Sequence, residues 1–424
     1  MELPSEDDYK IKIEKNKGWN FFVNAGDLTA VNCAKSFIFS STVLTLYASY
    51  LTSSAALIGL IPAIQQVGYL IPQLLFAHRA ESLSRKLPFV ARISTMERLP
   101  YLFIALAIFL WPGAPKWLAY IVLAVCMATA TGSAGLVTPA WKAMLGKLID
   151  PNRRGLLFSL GFGIGGFLGI GGAFLAGYIL DTFEYPFSYG LCFLLSFLFQ
   201  AISWLFLILN REPPKKSQSE SHSFSQYIRV IPRFLKNNRN FSWFLGGSVL
   251  TIFGGMAVNF YILHARYAFQ TTDGFAASLT MAALISQSVG TPLLGWMSDR
   301  MGHKWLYELS ILLGAASLIL MLLIQAQILL YPAFILMNLS IAGLHISRAS
   351  ITMEFGGLDQ LPTYTALAGT LLGVPTLAAP VVGGWVLDQF GYTTLYAVAL
   401  ALTLAGWAVI RLRVRDPRIH KTRQ

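Results

Sequence analysis

Residues 166–189 read GFLGIGGAFLAGYILDTFEYPFSY, and residues 373–396 read GVPTLAAPVVGGWVLDQFGYTTLY. Gly166, Gly177, Asp181, Phe183, Tyr185 and Tyr189 of the first stretch recur as Gly373, Gly384, Asp388, Phe390, Tyr392 and Tyr396 of the second, every pair 207 positions apart. So many coincidences at one offset mark an internal duplication. In both copies an apolar, glycine-containing segment ends at an acid and restarts in aromatics, as the end of one helix and the start of the next would. Two similar halves are therefore predicted.

The rest of the chain tells what kind of helices these are. Of its 424 residues 55% are hydrophobic and only 12% charged, about half the charged fraction of a soluble domain. Long apolar runs recur, each sufficient for a hydrocarbon core of about 30 Å. They lack the alternation of barrel strands, so helices must satisfy their backbone groups in lipid. The reading is an all-α integral membrane fold with spans at 20–50, 55–77, 88–111, 117–141, 156–180, 187–209, 241–267, 275–296, 304–326, 329–352, 363–387 and 393–411. Twelve spans bring both termini to one side. Placing that side in the cytoplasm gathers there every Lys and Arg except Lys35 and Arg98, within spans, and Lys116 and Arg266, as the positive-inside rule requires. The net charge of +12 thus reflects topology and anionic lipid at the cytoplasmic face rather than nucleic acid.

The predicted organisation is a cytoplasmic tail (1–19), a six-helix bundle (20–209), a cytoplasmic linker (210–240), a second six-helix bundle (241–411) and a basic cytoplasmic tail (412–424). The linker contains Pro213 and Pro214 and then Phe224, Tyr227, Ile228, Ile231, Phe234 and Leu235 at helical spacing, which predicts an amphipathic interfacial helix. No apolar core with a cleavage site precedes the first span, so helix 1 is expected to be its own address in the cell (inner) membrane. Cys33, Cys126 and Cys192 lie within spans as packing residues. No cofactor or metal is expected, and the protein is expected to be a monomer.

After the eighth span comes Gly295-Trp-Met-Ser-Asp299-Arg300-Met-Gly302-His303-Lys304. This resembles the Gly-x-x-x-Asp-Arg-x-Gly-Arg-Lys signature of the major facilitator superfamily. The counterpart after the second span keeps Glu81, Arg85 and Lys86 but loses both glycines. The resemblance covers nearly the whole chain through span count, halves and loop. It implies alternating access by rocking halves and a conformational latch formed by these residues, without naming a cargo. In that latch Gly295 would permit close helix contact, and Asp299 would accept bonds from an Arg or a helix N-terminus. The family's antiporter pattern in helix 5 lacks its proline here, and Gly161, Gly163, Gly165, Gly166, Gly169, Gly171 and Gly172 are expected chiefly to bring helices close.

Ionisable groups inside a span are costly and mark candidate sites. On helix 1, Asn20, Asn24, Asp27, Lys35 and Thr42 share an arc of about 80° and are expected to line a central cavity. Asp27 suits a coupling proton, or an ion pair with Arg98. Lys35 suits an anionic cargo group, or a pair with Glu97. The resemblance implies that helices 4, 7 and 10 also line the path, which adds Thr138 and Trp141, Asn259 and His264, and Asn338 and His345 with Arg348 on their face. Snorkelling to head groups is the simpler expectation for Arg266 and Arg348.

The chain lacks a nucleotide-cradling loop, a His-Glu-x-x-His pair and a Gly-x-Ser-x-Gly elbow. It is read as a secondary transporter rather than an enzyme, proton-coupled, exporting amphipathic small molecules. Uptake of a sugar or organic acid is the alternative, and a membrane receptor or membrane-embedded enzyme is the rival from other classes.

Overall fold

The computed structural model describes residues 6–214, 235–355 and 361–417; the expected amphipathic helix of the linker lies largely outside them. The elements are α1 (Glu6–Ser36), a π-turn (Ser40–Leu44), α2 (Thr45–Leu51), α3 (Ala55–Ser82), α4 (Leu87–Leu110), α5 (Lys116–Leu148), α6 (Pro151–Thr182) and α7 (Phe187–Ile208). They continue with α8 (Arg239–Gly254), a 3₁₀ turn (Gly255–Phe260), α9 (Tyr261–Phe269), α10 (Asp273–Met301), α11 (His303–Leu322), α12 (Leu330–Glu354) and α13 (Leu361–Arg413), whose two arms turn at Gly391. Nine segments among the described residues are long and apolar enough to cross a membrane. The other predicted crossings correspond to α1 with α2, to α3, and to the second arm of α13. Helix α1 begins well before the predicted span, at Glu6.

The chain forms two units. The first comprises Met1–Thr52, Ile64–Ser221 and Asp273–Met281, the second Ser53–Ala63, His222–Thr272 and Ala282–Gln424. In the first, α1 packs on α6 and α7, and α4 on α5 and α7. Three of the predicted close-packing glycines form the α1–α6 seam. A Cβ at Gly165 would lie 2.8 Å from Asn32, one at Gly161 2.5 Å from Leu28, and one at Gly172 would overlap Ser36. Among the described residues nothing lies within 4 Å of a Cβ at Gly163 or Gly171.

In the second unit α8 packs along α13, and α11 along α12 and α13. Phe241, Phe244, Tyr307, Ile311, Tyr364 and Ile410 form its core. Tyr307 Oη reaches Ser248 Oγ at 2.8 Å, the buried bond a phenol needs in an apolar core.

The first helix of each bundle is broken. After α1, Phe39 is extended (ψ 129), and Thr45 Oγ1 donates to the Ser40 carbonyl at 2.7 Å, so a hydroxyl satisfies backbone that the helix no longer does. Between α8 and α9 the break falls at Gly254–Gly255, where two residues without Cβ weaken the helix.

Candidate transport site

In the first unit α1, α4 and α7 bring Asp27, Glu97, Arg98, Gln200 and Ser203 together. Arg98 is buried, and its guanidinium is nearly saturated. Nε donates to the Gln200 carbonyl (2.9 Å), Nη1 to the Ser94 carbonyl (3.0 Å) and Glu97 Oε2 (3.2 Å), and Nη2 to Ser203 Oγ (2.8 Å). Ser203 Oγ donates in turn to Asp27 Oδ1 at 2.5 Å, and Arg98 stands 3.6 Å from the same oxygen. The Trp141 indole of α5 adjoins Asp27. The ion pair foreseen as the alternative for Asp27 is thus present, supplied by a neighbouring helix. Lys35, farther along α1, is exposed in this unit and feels the charge of Glu97, while Glu97 itself bonds Arg98.

The polar stripe does not stand open along its length. Asn24 is fully buried, donating to Asn210 Oδ1 at 2.6 Å. Asn20 clamps the Arg211 backbone, accepting its N–H at 2.9 Å and donating to its carbonyl at 3.2 Å. This half of the stripe joins α1 to the end of α7 instead of lining a cavity. Thr42 is buried against Thr280 at 2.5 Å. Thr138 bonds its own helix at Ala134 and meets Tyr69 Oη at 3.3 Å.

In the second unit Asn338 is buried, accepting from Gln287 at 2.9 Å and donating to the Phe334 carbonyl. His345, two turns on along the same face, is exposed. Arg348 is half-buried, with an Nε that is shielded from solvent and lacks a hydrogen-bond partner. Asn259 sits half-buried in the 3₁₀ break. His264 is committed elsewhere: it stacks on Tyr392 with centroids 4.5 Å apart.

That stack belongs to a repeated clasp which explains the 207-residue duplication. In the second unit Asp388 accepts the N–H groups of Ala55 (2.7 Å) and Ala56 (3.0 Å) and the Ser54 hydroxyl (2.9 Å), capping α3. In the first, Asp181 accepts the Gly274 N–H at 3.0 Å, capping α10. Carboxylates at helix N-termini satisfy orphan donors and complement the helix dipole. A Cβ at Gly384 would collide with the Ala55 carbonyl, and one at Gly177 would come within 2.9 Å of Ala277. Tyr189 packs on Tyr47 and Tyr185 on Tyr50; Tyr396 packs on Tyr261 and Tyr392 on His264. The duplication revealed these residues but not their task.

The opposite end carries the basic loops. Gly302 (φ 100) turns α10 into α11, and Arg300 lies 4.2 Å over the Trp296 ring. Lys304 pairs with Glu308 at 3.2 Å, and His303 with Glu354 at 3.6 Å. Among the described residues nothing lies within 4 Å of the would-be Cβ of Gly295, and the positive φ of the turn falls at Gly302. In the counterpart loop Arg85 is exposed and Lys86 is buried, while the Glu81 side chain lies outside the described residues. The acid that organises this loop was missed by sequence reading. Glu212 accepts the N–H groups of Lys86 and Leu87 at 2.7 Å each, capping α4, and pairs with Lys147 at 3.2 Å. Burial, reinforced by the Glu212 charge, pushes the Tyr9 phenol above its ordinary value. Asp416 lies beside Gly302 at the start of α11, and Asn240 clamps the Arg415 backbone as Asn20 clamps Arg211. The signal was Arg211-Glu212-Pro213 repeated as Arg415-Asp416-Pro417.

Comparison with known proteins agrees with this architecture. The family model described as Major Facilitator Superfamily matches residues 28–280 and 244–424. Among solved structures, a mutant form of the nucleoside transporter NupG superposes with a TM-score of 0.71 at 14% identity, covering 92% of this chain and 98% of that one. A D-xylose–proton symporter gives 0.70 at 14% identity, covering 94% and 98%. The human organic anion transporter MFSD10 gives 0.61 at 15% identity, covering 92% and 98%. No curated relative matches the sequence.

Proposed function

Because the chain belongs to the major facilitator superfamily, we propose that it is a proton-coupled secondary transporter of a small solute, with Asp27 as the proton-carrying group. The observation that carries this reading is the double engagement of Arg98. Its guanidinium bonds Glu97 and two carbonyls independently of Asp27. Protonation of Asp27 therefore leaves no bare buried cation, whereas in an isolated pair it would. Ser203 bridges the two groups, so one hydroxyl rotation accompanies gain or loss of the proton. With Lys35, which feels the Glu97 charge, the group holds two acids and two bases, and one added proton gives it a positive charge for the cargo or the conformational change to offset.

The breaks in the first helix of each bundle support the same reading, since discontinuous helices expose backbone groups to a solute path. The test is proteoliposomes with an internal pH dye, challenged with nucleosides, sugars, short peptides and carboxylates. One class is expected to move protons, and Asp27→Asn is expected to keep solute exchange while losing proton movement. Full proton-coupled flux in Asp27→Asn would sink the assignment. Protons moving with the solute mark uptake by symport. Protons moving against it mark the export of amphipathic compounds expected from the sequence.

A further inference from the structure

A buried arginine that serves only the fold is surrounded by acceptors, as Arg98 is. Arg348 differs. Its Nε is buried without an acceptor, and among the described residues no carboxylate lies within ion-pair distance of its guanidinium. Three other cations near this end of the second unit are engaged: Lys304 and Arg411 on Glu308, His303 on Glu354. Glu354, the acid six residues along the same helix, is thus already held by His303. Only Nε is shielded; the terminal nitrogens are not among the shielded atoms, and the half-buried side chain presents them at the helix surface, where an anion can meet the fork.

The position on α12 adds direction. Ser340, Gly343 and Ser347 face α11, where Ser340 bonds the Ser310 carbonyl and Gly343 abuts Ser310. Leu339 and Ile346 face α10, and Ile351 and Leu344 join the core with Phe241 and Tyr307. Arg348, His345 and Asn338 occupy the remaining face. His345, about 4.5 Å along the axis from Arg348, is exposed there. The Asn338–Gln287 amide pair lies about 15 Å along and offers donors and acceptors to a polar body.

We propose that Arg348 and His345 form an anion-binding site on α12 that takes the carboxylate or phosphate of a small organic anion, the cargo of the transporter. An arginine presents a planar fork matched to either group, and the imidazole supplies a further donor one turn away. The proposal rests on the transport reading for the word cargo, but the site itself is tested by binding.

The experiment uses the full-length protein in phosphatidylcholine nanodiscs. Arg348 is labelled with phenylglyoxal and its modified peptide quantified by mass spectrometry, with and without 50 mM phosphate, acetate or succinate. The controls are glycerol and sodium chloride at matched ionic strength. Labelling of Arg348 is expected, with at least three-fold protection by one or more of these anions and none by glycerol or chloride. An unlabelled Arg348, or one labelled equally in every condition, overturns the site. Protection by phosphatidylglycerol in the discs, with no further effect of solute, assigns the anion to a lipid headgroup and overturns the cargo. Anion protection with no proton-linked flux in any solute would leave the site standing and remove the transport reading instead.

Discussion

Arg98 and Arg348 are both arginines in membrane-spanning helices, one in each unit, and their surroundings are opposite. Arg98 makes four hydrogen bonds and lies against two carboxylates; Arg348 has a buried nitrogen without a partner. A guanidinium that folding neutralises is part of the scaffold, and its loss strands the acids around it. One that folding leaves exposed to a partner from outside contributes little to stability. Removing one member of a buried charge network costs about 3–5 kcal/mol, so Arg98→Ala is expected to lower the unfolding transition severely or abolish folding. Arg348→Gln is expected to stay within about 0.5 kcal/mol of the parent. Parallel thermal unfolding of the two variants in detergent checks this, and equal losses would break the contrast.

The next contrast lies within α6. Gly172 abuts Ser36, whereas no described residue lies within 4 Å of a Cβ at Gly163. Gly172→Ala must displace the Ser36 hydroxyl and crowd the Phe37 ring, an overpacking cost of about 1–3 kcal/mol. Gly163→Ala adds only helix propensity, worth up to about 1 kcal/mol in the stabilising direction. Opposite signs of the shift in unfolding midpoint are expected. A destabilising Gly163→Ala of the same size would mean that the α1–α6 seam is not where the close packing is concentrated.

A smaller contrast lies between each clasp and the helix start it holds. Asp388 accepts N–H groups and a hydroxyl at the start of α3, and Asp181 accepts the Gly274 N–H at the start of α10. Loss of a cap costs about 1 kcal/mol, so Asp388→Asn and Asp181→Asn are each expected to loosen their own helix start and leave the other unchanged. Hydrogen exchange resolved at Ala55–Ala56 and at Gly274 reads both directly. Unchanged exchange at Ala55–Ala56 in Asp388→Asn would mean that the carboxylate is not what holds that clasp.

These contrasts also separate what was legible in the sequence from what was not. The duplication and the helical membrane class could be read, because each is a pattern in one dimension. The clasp residues could be found but not understood, since Asp388 gains its meaning from Ala55, more than three hundred positions away in the chain. Helical periodicity placed Asn20, Asn24 and Asp27 on one face of α1 but could not say what that face meets. The answer is α7 and the residues just after it: Ser203 is an ordinary residue in an apolar span, and Asn210 opens the linker. Glu212 and Asp416 escaped notice because polar residues after a last span look like linker and tail. The break in helix 7 had a signal in Gly254–Gly255. The break near Phe39 had only Ser40, Ser41 and Thr42, residues that helices in lipid usually tolerate by bonding their own backbone.

Gly295 gives the smallest expected effect and the sharpest reading of the basic-end turn. As the first glycine of the loop signature, its expected role was close helix contact. Instead no described residue approaches its would-be Cβ, and the left-handed backbone that demands glycine falls at Gly302. Within a helix, Ala in place of Gly is favourable by up to about 1 kcal/mol when nothing clashes. Gly295→Ala is therefore expected to be neutral or slightly stabilising. Gly302→Ala, forced into a positive φ, is expected to cost at least as much in the other direction. Measured as unfolding midpoints on the same preparation, a loss at Gly295 equal to that at Gly302 would mean that another conformation brings a helix against Gly295. The signature glycine would then act in the transport cycle rather than in the fold described here.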